Sequence, residues 1–179
     1  SLFLIGAVAA RHVIGQMLPD VVLGCLYQAV PERVPAEGSS SLWNPVLLGG
    51  HFDDGATPFT VGLFHSGGTG ARPGKDGLSA TAFPSGVRNT PVEINETIAP
   101  IVIWEKEFRT DSGGPGRYRG GLGQVMSIGH LKGAPWDILA MFDRCIHPAR
   151  GRGGGDSGQK GSLSLKGGRI LENKGRQSV

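Results

Sequence analysis

The chain has 179 residues, of which 39% are hydrophobic and 18% charged, and its formal net charge is +3. This length can bury a substantial core, and the low charge excludes the highly charged, apolar-poor composition of disordered chains. The composition therefore indicates a globular domain. The 31 glycines and 12 prolines lie between apolar runs without a fixed period, which predicts many tight turns in a strand-rich chain.

The first half of the chain is predicted to contain a helix, two strands and a long loop. Asp20 is a suitable N-cap for a helix at residues 21–30. After a polar connector, residues 42–48 and 59–65 have the pattern of two short paired strands. Residues 66–89 show no periodicity, and loops of this length are usually functional or disordered. Their low charge favours an ordered, functional loop.

The second half is predicted to be rich in antiparallel strands. One helical turn is expected at residues 93–97, and a hairpin is expected around Lys166-Gly167-Gly168. Alternating apolar residues predict strands at residues 101–109, 124–131 and 137–143, the first with one apolar face. We therefore expect an α+β fold that is predominantly antiparallel β, with an N-terminal helix and long glycine-rich loops, in a single domain or fragment over residues 1–179.

The cysteines and the hydropathy of the sequence bear on the cellular location of the protein. Cys25 and Cys145 are far apart and show no metal-ligand spacing, so reduced thiols in a cytoplasmic protein are expected. The apolar run at residues 2–10 is shorter than the roughly 20 residues that cross a bilayer. We interpret this run as a buried segment of a longer chain and expect no membrane association.

A short glycine motif invites comparison with serine proteases. Residues 111–115, Asp-Ser-Gly-Gly-Pro, match the stretch around the nucleophile of trypsin-like enzymes. That chemistry requires a histidine base within an earlier Ala-Ala-His-Cys stretch, which the sequence lacks. We therefore interpret the motif as a glycine turn capped by Asp111 and Ser112.

Phosphate-binding patterns are incomplete. Residues 67–75 lack the spacing of a Walker A loop. Gly153, Gly155 and Gly158 fit Gly-x-Gly-x-x-Gly, but a strand pattern follows them, whereas a dinucleotide site needs a helix N-terminus there. We expect no ATP to bind to this chain itself.

Metal and nucleic-acid sites are weakly indicated. His51, Asp53, Asp54 and His65 bracket a predicted turn and are the plausible metal ligands, but polar turn residues are the favoured interpretation and no metal is expected. The basic, arginine- and glycine-rich tail has no aromatic residue after Phe142 for base stacking. It is interpreted as a solvated edge of the sheet, and no nucleic-acid partner is expected.

Three stretches occur in an order and spacing typical of one known family. They are Gly-Gly-Thr-Gly-Ala-Arg at residues 67–72 with Asp76-Gly77, Asn-Thr-Pro-Val-Glu at 89–93, and Asp-Ser-Gly-Gly-Pro-Gly-Arg-Tyr-Arg-Gly-Gly-Leu-Gly at 111–123. The chain resembles the hydantoinase B/oxoprolinase family in these stretches, and the match extends through residues 20–38 and 148–158. The resemblance identifies it as the C-terminal portion of a B-type subunit.

The resemblance implies an ATP-dependent hydrolase of hydantoinase or 5-oxoprolinase type, which opens small cyclic amides such as hydantoin or oxoproline. It implies a hetero-oligomer in which an A-type subunit uses ATP with Mg²⁺, while a divalent metal lies in an N-terminal part of the B-type subunit outside this chain. The chain alone is then expected to be inactive. Related ketone carboxylases are an alternative, although Asn-Thr-Pro-Val-Glu favours the hydantoinase branch. Another alternative is a purely structural segment that forms the subunit interface.

The matching residues suggest a way to bind such a substrate. Glycine backbone amides can approach a polar ring closely, and arginines can donate charge-assisted hydrogen bonds to phosphate or carboxylate oxygens, with neighbouring polar side chains bracing the loop. Alternatively, the glycines only shape a surface loop. The candidate substrate-binding residues are Gly67, Gly68, Gly70, Arg72, Arg88, Asn89 and Glu93. The catalytic residues are not identified.

Overall fold

The computed structural model of the chain describes residues 11–49 and 57–179. It contains helix α1 at Arg11–Leu26, a short 3-10 helix at Pro31–Arg33 and helix α2 at Val92–Ile98. The strands are β1 at Val46–Gly49, β2 at Phe59–Gly62, β3 at Ile101–Phe108, β4 at Gln124–His130, β5 at Trp136–Met141 and β6 at Lys174–Ser178. Neither α-helix in these ranges has the length and apolar character needed to cross a lipid bilayer.

The strands form two antiparallel sheets. The larger sheet has four strands in the order β2-β1-β5-β6, and β3 pairs with β4 in a second sheet. The register of the second sheet shifts between Ile103 and Glu105, where Trp104 interrupts the ladder. This architecture confirms the predicted α+β fold with mostly antiparallel strands and an N-terminal helix.

Both sheets contribute to one hydrophobic core. In β2, Phe59 and Val61 point inward while Thr60 and Gly62 are exposed, as the two-residue period of a strand requires. Each fully buried large apolar side chain contributes about 1.5–3 kcal/mol. The buried cluster consists of Leu47, Phe59, Val61, Leu63, Ala99, Ile101, Ile103, Ile138, Ala140 and Phe142.

Helix α1 differs from the prediction. It includes Asp20 in its interior, so the expected N-cap at this residue is wrong. The Asp20 carboxylate instead accepts hydrogen bonds from Ser40 Oγ and from Arg144, both at 2.5 Å. Tertiary partners therefore override the local capping preference. Val22 and Leu26 on this helix are 50% and 47% exposed. The apolar run at residues 2–10 lies outside the described residues.

The second half follows the prediction more closely. Residues 124–130 and 136–141 form strands, and the expected hairpin is present as a short bridge between Ser164 and Ile170. Strand β3 buries Ile101 and Ile103, whereas Glu105 and Glu107 on the same predicted face are exposed. The sequence pattern does not predict strand β6, because its residues are polar and it pairs with β5 mainly through its backbone.

Candidate functional site

A cavity of about 350 Å³ lies where the glycine-rich segments meet the strands. One part of its wall is backbone, another is apolar and aromatic, and a third carries polar side chains. The lining residues come from within stretches 37–45, 65–69, 109–114, 120–128, 138–149 and 158–164.

The backbone wall belongs to a layer of irregular chain that we call the glycine layer. Its segments are joined by backbone hydrogen bonds rather than by strand pairing. Ser39 N donates to Gly68 O at 2.9 Å, and Gly121 N donates to Thr69 O at 2.9 Å. The predicted long loop is therefore ordered. The glycine layer consists of residues 36–39, 67–80, 112–123 and 149–158.

Close approach explains why this layer contains so much glycine. A Cβ atom at Gly68 would overlap the carbonyl group of Gly121. One at Gly121 would overlap the carbonyl group of Leu78, and one at Gly70 would overlap that of Ala36. These positions accept only a residue without a side chain, because neighbouring backbone occupies the space.

An aromatic pair forms the apolar wall. Trp43 stacks on Phe142 with ring centroids 4.2 Å apart and an interplanar angle of 7°. Trp43 Nε1 donates to Asp143 O at 3.0 Å, which satisfies the polar end of the indole. Ile138 and Met126 continue this wall. Each ring of the pair therefore covers one face of the other, and Phe142 is almost fully buried.

Four polar atoms at the cavity have no hydrogen-bond partner among the described residues. They are buried, and a buried polar atom without a partner costs about 1–3 kcal/mol. Most such atoms in folded proteins are paired. All four belong to residues that line the cavity, but the atoms themselves are closed off from its open space. The four atoms are Ser41 Oγ, His65 Nε2, Gln124 Oε1 and Arg144 Nε.

His65 is a neutral imidazole in this position. A pair of backbone hydrogen bonds to Trp43, at 2.9 and 3.2 Å, fixes its backbone, and its ring meets the Trp43 ring edge-on at 6.1 Å. Burial and then the positive charge of Lys106 lower the His65 pKa to about 4, while an interaction with the Gln124 backbone acts in the opposite direction. The ring therefore carries one N–H and one bare nitrogen at neutral pH.

A buried ion network holds Arg144 at the cavity. Arg144 Nη2 contacts Asp20 Oδ2 at 2.5 Å, and Arg144 Nη1 contacts Glu37 Oε2 at 3.1 Å. Arg150 also contacts Glu37, at 2.6 Å. Arg144 has a φ of +61°, an uncommon backbone conformation for a residue with a side chain. Both Nη groups are thus committed to carboxylates, while Nε is buried without a partner among the described residues.

The two carboxylates of the network respond differently to burial. Burial raises the pKa of Asp20, and the hydrogen bond from Ser40 and the charge of Arg144 offset this only in part. Burial also acts to raise the pKa of Glu37, but hydrogen bonds from Arg150 and the charge of Arg144 outweigh it and lower the pKa. Glu37 is therefore the firmly ionised partner of Arg144.

The interpretation of the basic tail as a solvated edge is wrong for part of that tail. Arg144 is buried in the ion network, and Arg152 donates to Leu23 O at 2.8 Å while its guanidinium lies 5.2 Å from the centre of the Tyr27 ring. These arginines attach helix α1 to the glycine layer because Asp20 and the helix backbone accept from them.

The structure separates the predicted substrate-binding residues into two groups. Gly67 and Gly68 line the cavity, and within the described ranges their amides donate no hydrogen bond. The others lie outside the lining; the Arg72 guanidinium, for example, donates to Asp76 O at 2.8 and 2.9 Å. That second group is Gly70, Arg72, Arg88, Asn89 and Glu93. A role in substrate binding stays a prediction for both groups.

The other motifs have simpler explanations. Ser112 Oγ donates to Arg109 O at 2.7 Å and accepts from Gly123 N at 2.8 Å, which confirms that it caps a glycine turn. The segment after Gly158 is not helical, so the Gly-x-Gly-x-x-Gly pattern does not begin a helix.

The weak candidate metal ligands lie only partly within the described residues. His65 lines the cavity, whereas His51, Asp53 and Asp54 lie outside the described residues. Across residues 11–49 and 57–179, no group of three His, Cys, Asp or Glu side chains is arranged to hold a metal ion.

Sequence reasoning missed three of the polar residues at the cavity: Ser41, Gln124 and Arg144. The sequence itself contains an indication that Arg144 is buried and paired. It follows the apolar stretch of β5 and Phe142, and Asp20 lies between apolar residues far away in the sequence. Charged residues in apolar surroundings are rarely buried unless they are paired, so these two are natural partners.

Together these features define an α+β chain with a cavity suited to small, partly polar molecules. The chain belongs to the hydantoinase B/oxoprolinase family, because the family model matches residues 5–178.

Known relatives extend this assignment. The chain is 29% identical over 158 residues to the putative B-type subunit of a D-/L-hydantoinase from a Pseudomonas species, covering 88% of the chain and 26% of that relative. It is 37% identical over 120 residues to a 5-oxoprolinase from Dictyostelium discoideum, covering 65% of the chain and 9% of that relative. The chain thus spans about a quarter or less of these proteins.

A solved structure shows the same fold. A nucleotide-free structure of acetone carboxylase, described for ATP-dependent acetone carboxylation, superimposes with a TM-score of 0.61 and 26% sequence identity. The similarity covers 75% of this chain and 18% of that chain.

Proposed function

We propose that the chain is the C-terminal portion of a B-type subunit of an ATP-dependent cyclic-amide hydrolase, which acts with an A-type subunit that uses ATP. The observation that carries this proposal is the family match over residues 5–178, together with a relative named as the B-type component of a hydantoinase. The 5-oxoprolinase relatives support the same substrate class, since oxoproline is a cyclic amide.

The cavity suits the binding part of such a reaction. A cyclic amide is a small, partly polar ring, and residues of both apolar and polar kinds line the cavity. An amide resists attack by water, so ATP supplies activation when the partner holds it with Mg²⁺. The residues of this chain bind and orient the ring, and no step here is assigned to a metal, since no described cluster fits one.

The test is to co-express the full-length subunit with the A-type protein expected from the neighbouring reading frame. ATP hydrolysis is measured with hydantoin, with 5-oxoproline, and with acetone plus bicarbonate. We expect a cyclic amide to stimulate ATP hydrolysis and to yield its ring-opened product in step with ATP consumption. Stimulation by acetone and bicarbonate alone would contradict the proposal.

A carboxylase is the second candidate, and the structural similarity to acetone carboxylase favours it. In that case an activated enol and bicarbonate would replace the amide and water. The same assay separates the two, because a carboxylase incorporates labelled bicarbonate into an acid-stable product and the hydrolase does not.

A further inference from the structure

We propose that the outward face of helix α1 is a contact surface, on which the N-terminal part of the same B-type subunit packs. This assignment rests on the proposed function, because that function makes the chain one portion of a longer subunit. The contact joins two parts of one polypeptide and does not depend on which ring the enzyme opens.

The outward face of helix α1 is apolar. Its large side chains recur at the spacing of one helical face over about three turns. They are 39–62% exposed and we call them the α1 stripe: Ile14, Leu18, Val21, Val22 and Leu26. Across residues 13–26 the only charged side chain is Asp20, which is buried on the opposite face. A helix that is apolar on its outward face as well is typical of a protein interior.

The inward face of the same helix is held mainly by polar contacts. Gln16 Oε1 accepts a hydrogen bond from Leu42 N at 2.9 Å, and the Asp20 carboxylate accepts one from Arg144 at 2.5 Å. Val13 is the one buried apolar side chain in the described part of the helix. The helix thus turns polar side chains toward the rest of the chain and large apolar ones away from it, the reverse of an ordinary surface helix.

Such a surface needs a cover. Soluble proteins that act alone rarely expose contiguous apolar patches larger than a few hundred Å². A membrane is disfavoured as the cover, because helices that lie on membranes are rich in lysine and arginine beside their apolar face. Residues 12–26 contain neither of these. The α1 stripe therefore fits an apolar protein surface.

The N-terminal part of the subunit is the favoured occupant. The matched region makes up 26% of the Pseudomonas relative, so most of such a subunit lies outside the match. A surface on the same polypeptide has an effective concentration on the order of millimolar, which favours it over a separate partner. In a C-terminal portion, helix α1 follows the N-terminal part in the chain, and elements that are consecutive in sequence are usually adjacent in space.

Cys25 provides the test, because it is exposed and lies one helical turn from Val21 on the same face. The full-length subunit, without the A-type protein, is treated with a maleimide reagent, and peptide mass spectrometry follows the labelling of Cys25. We expect labelling at least about a hundredfold slower than in the same protein unfolded in urea, because a covered thiol reacts only after local opening. The control is Lys166→Cys on the exposed hairpin, whose new thiol is expected to react nearly as fast as in the unfolded protein.

A charge on the α1 stripe sharpens the test. Val22→Lys is expected to speed the labelling of Cys25 at least about tenfold, because the covering surface would have to bury a lysine. The matched control is Ile170→Lys, since Ile170 is also an exposed apolar residue but lies on the hairpin. It should leave the labelling of Cys25 unchanged. The wild-type measurement needs no substitution, so the inference stays testable if Val22→Lys does not fold.

Cross-linking identifies the occupant. A photoreactive amino acid in place of Leu26 is expected to cross-link to the N-terminal part of the same polypeptide, in a product with the mass of one subunit. Several results would overturn the inference. They are a Cys25 that reacts as fast in the folded subunit as in the unfolded one, protection that requires the A-type protein or anionic phospholipid vesicles, and cross-links that join two copies.

Turnover by the two-subunit complex separates this inference from the proposed function. If the complex opens hydantoin with ATP but Cys25 is unprotected in the subunit alone, the hydrolase stands and the contact surface is wrong. If Cys25 is protected as expected but no cyclic amide is turned over, the hydrolase proposal fails instead.

Discussion

The two sheets and the glycine layer solve the problem of close packing in opposite ways. In the sheets, side chains such as Leu47 and Phe142 fill the interior and are almost fully buried. In the glycine layer, the backbone of one segment lies directly against that of another, as at Gly68 and Gly121. Close packing in the sheets therefore depends on which side chains are present. Close packing in the glycine layer depends on residues that have no side chain.

This difference matters for the cavity, because its walls come from both regions. The sheets supply the aromatic and aliphatic surface, and the layer supplies backbone at Gly67 and Gly68. His65, Gln124 and Arg144 also line the cavity. A change in either region is thus expected to alter the cavity, but by a different physical route.

The largest effect is expected in the glycine layer. Gly121→Ala places a Cβ into the carbonyl group of Leu78, and backbone cannot move aside as a flexible side chain can. We expect a loss of about 4 kcal/mol or more in the free energy of unfolding. Urea denaturation followed by circular dichroism measures it.

The control for this change is Gly62→Ala in β2, where an added Cβ meets nothing within 4 Å. That substitution is expected to change the free energy of unfolding by no more than about 0.5 kcal/mol. Similar losses at the two positions would show that the layer is not as closely packed as its backbone contacts imply.

A smaller effect is expected in the sheet core. Leu47→Ala removes a side chain that is 0% exposed and leaves a cavity, so we expect a loss of about 3 kcal/mol by the same measurement. Leu131→Ala is the matched control, since Leu131 is 57% exposed and its loss should cost little. If Leu47→Ala cost as much as Gly121→Ala, the distinction between the two regions would lose its energetic basis.

The same contrast explains what the sequence could predict. Alternating apolar residues locate the strands β3, β4 and β5, because side-chain burial imposes a two-residue period. The polar strand β6 has no such period, and its pairing with β5 depends on backbone hydrogen bonds. Asp20 has the side chain of a helix cap but does not act as one, because its partners, Ser40 and Arg144, are distant in the sequence.

The site was less predictable than the fold. The glycine motifs pointed to residues 67–72, of which Gly67 and Gly68 line a cavity. Their role in substrate binding stays a prediction. Gln124 and Ser41 could not have been selected, since a single glutamine or serine carries no pattern. Only the fold brings these two residues to the same cavity.

The smallest expected effect concerns pH and tests the polar side of the cavity. The His65 pKa is about 4 in the folded protein and about 6.5 when unfolded, mainly because burial disfavours the charged ring. Above about pH 6.5 the ring is neutral in both states and has no effect on stability. As the pH falls below that value, the unfolded chain binds a proton that the folded chain does not, so stability decreases until about pH 4.

Comparison with His65→Phe isolates this effect from the other titrating groups. Between about pH 7.5 and pH 5, the wild type is expected to lose about 1–2 kcal/mol more unfolding free energy than the variant. The nearby Glu37 carboxylate keeps its charge over this range, because hydrogen bonds from Arg150 and the charge of Arg144 lower its pKa. An equal loss in both proteins would mean that His65 binds a proton as readily in the folded chain as in the unfolded one, which would contradict the effect of burial on its pKa.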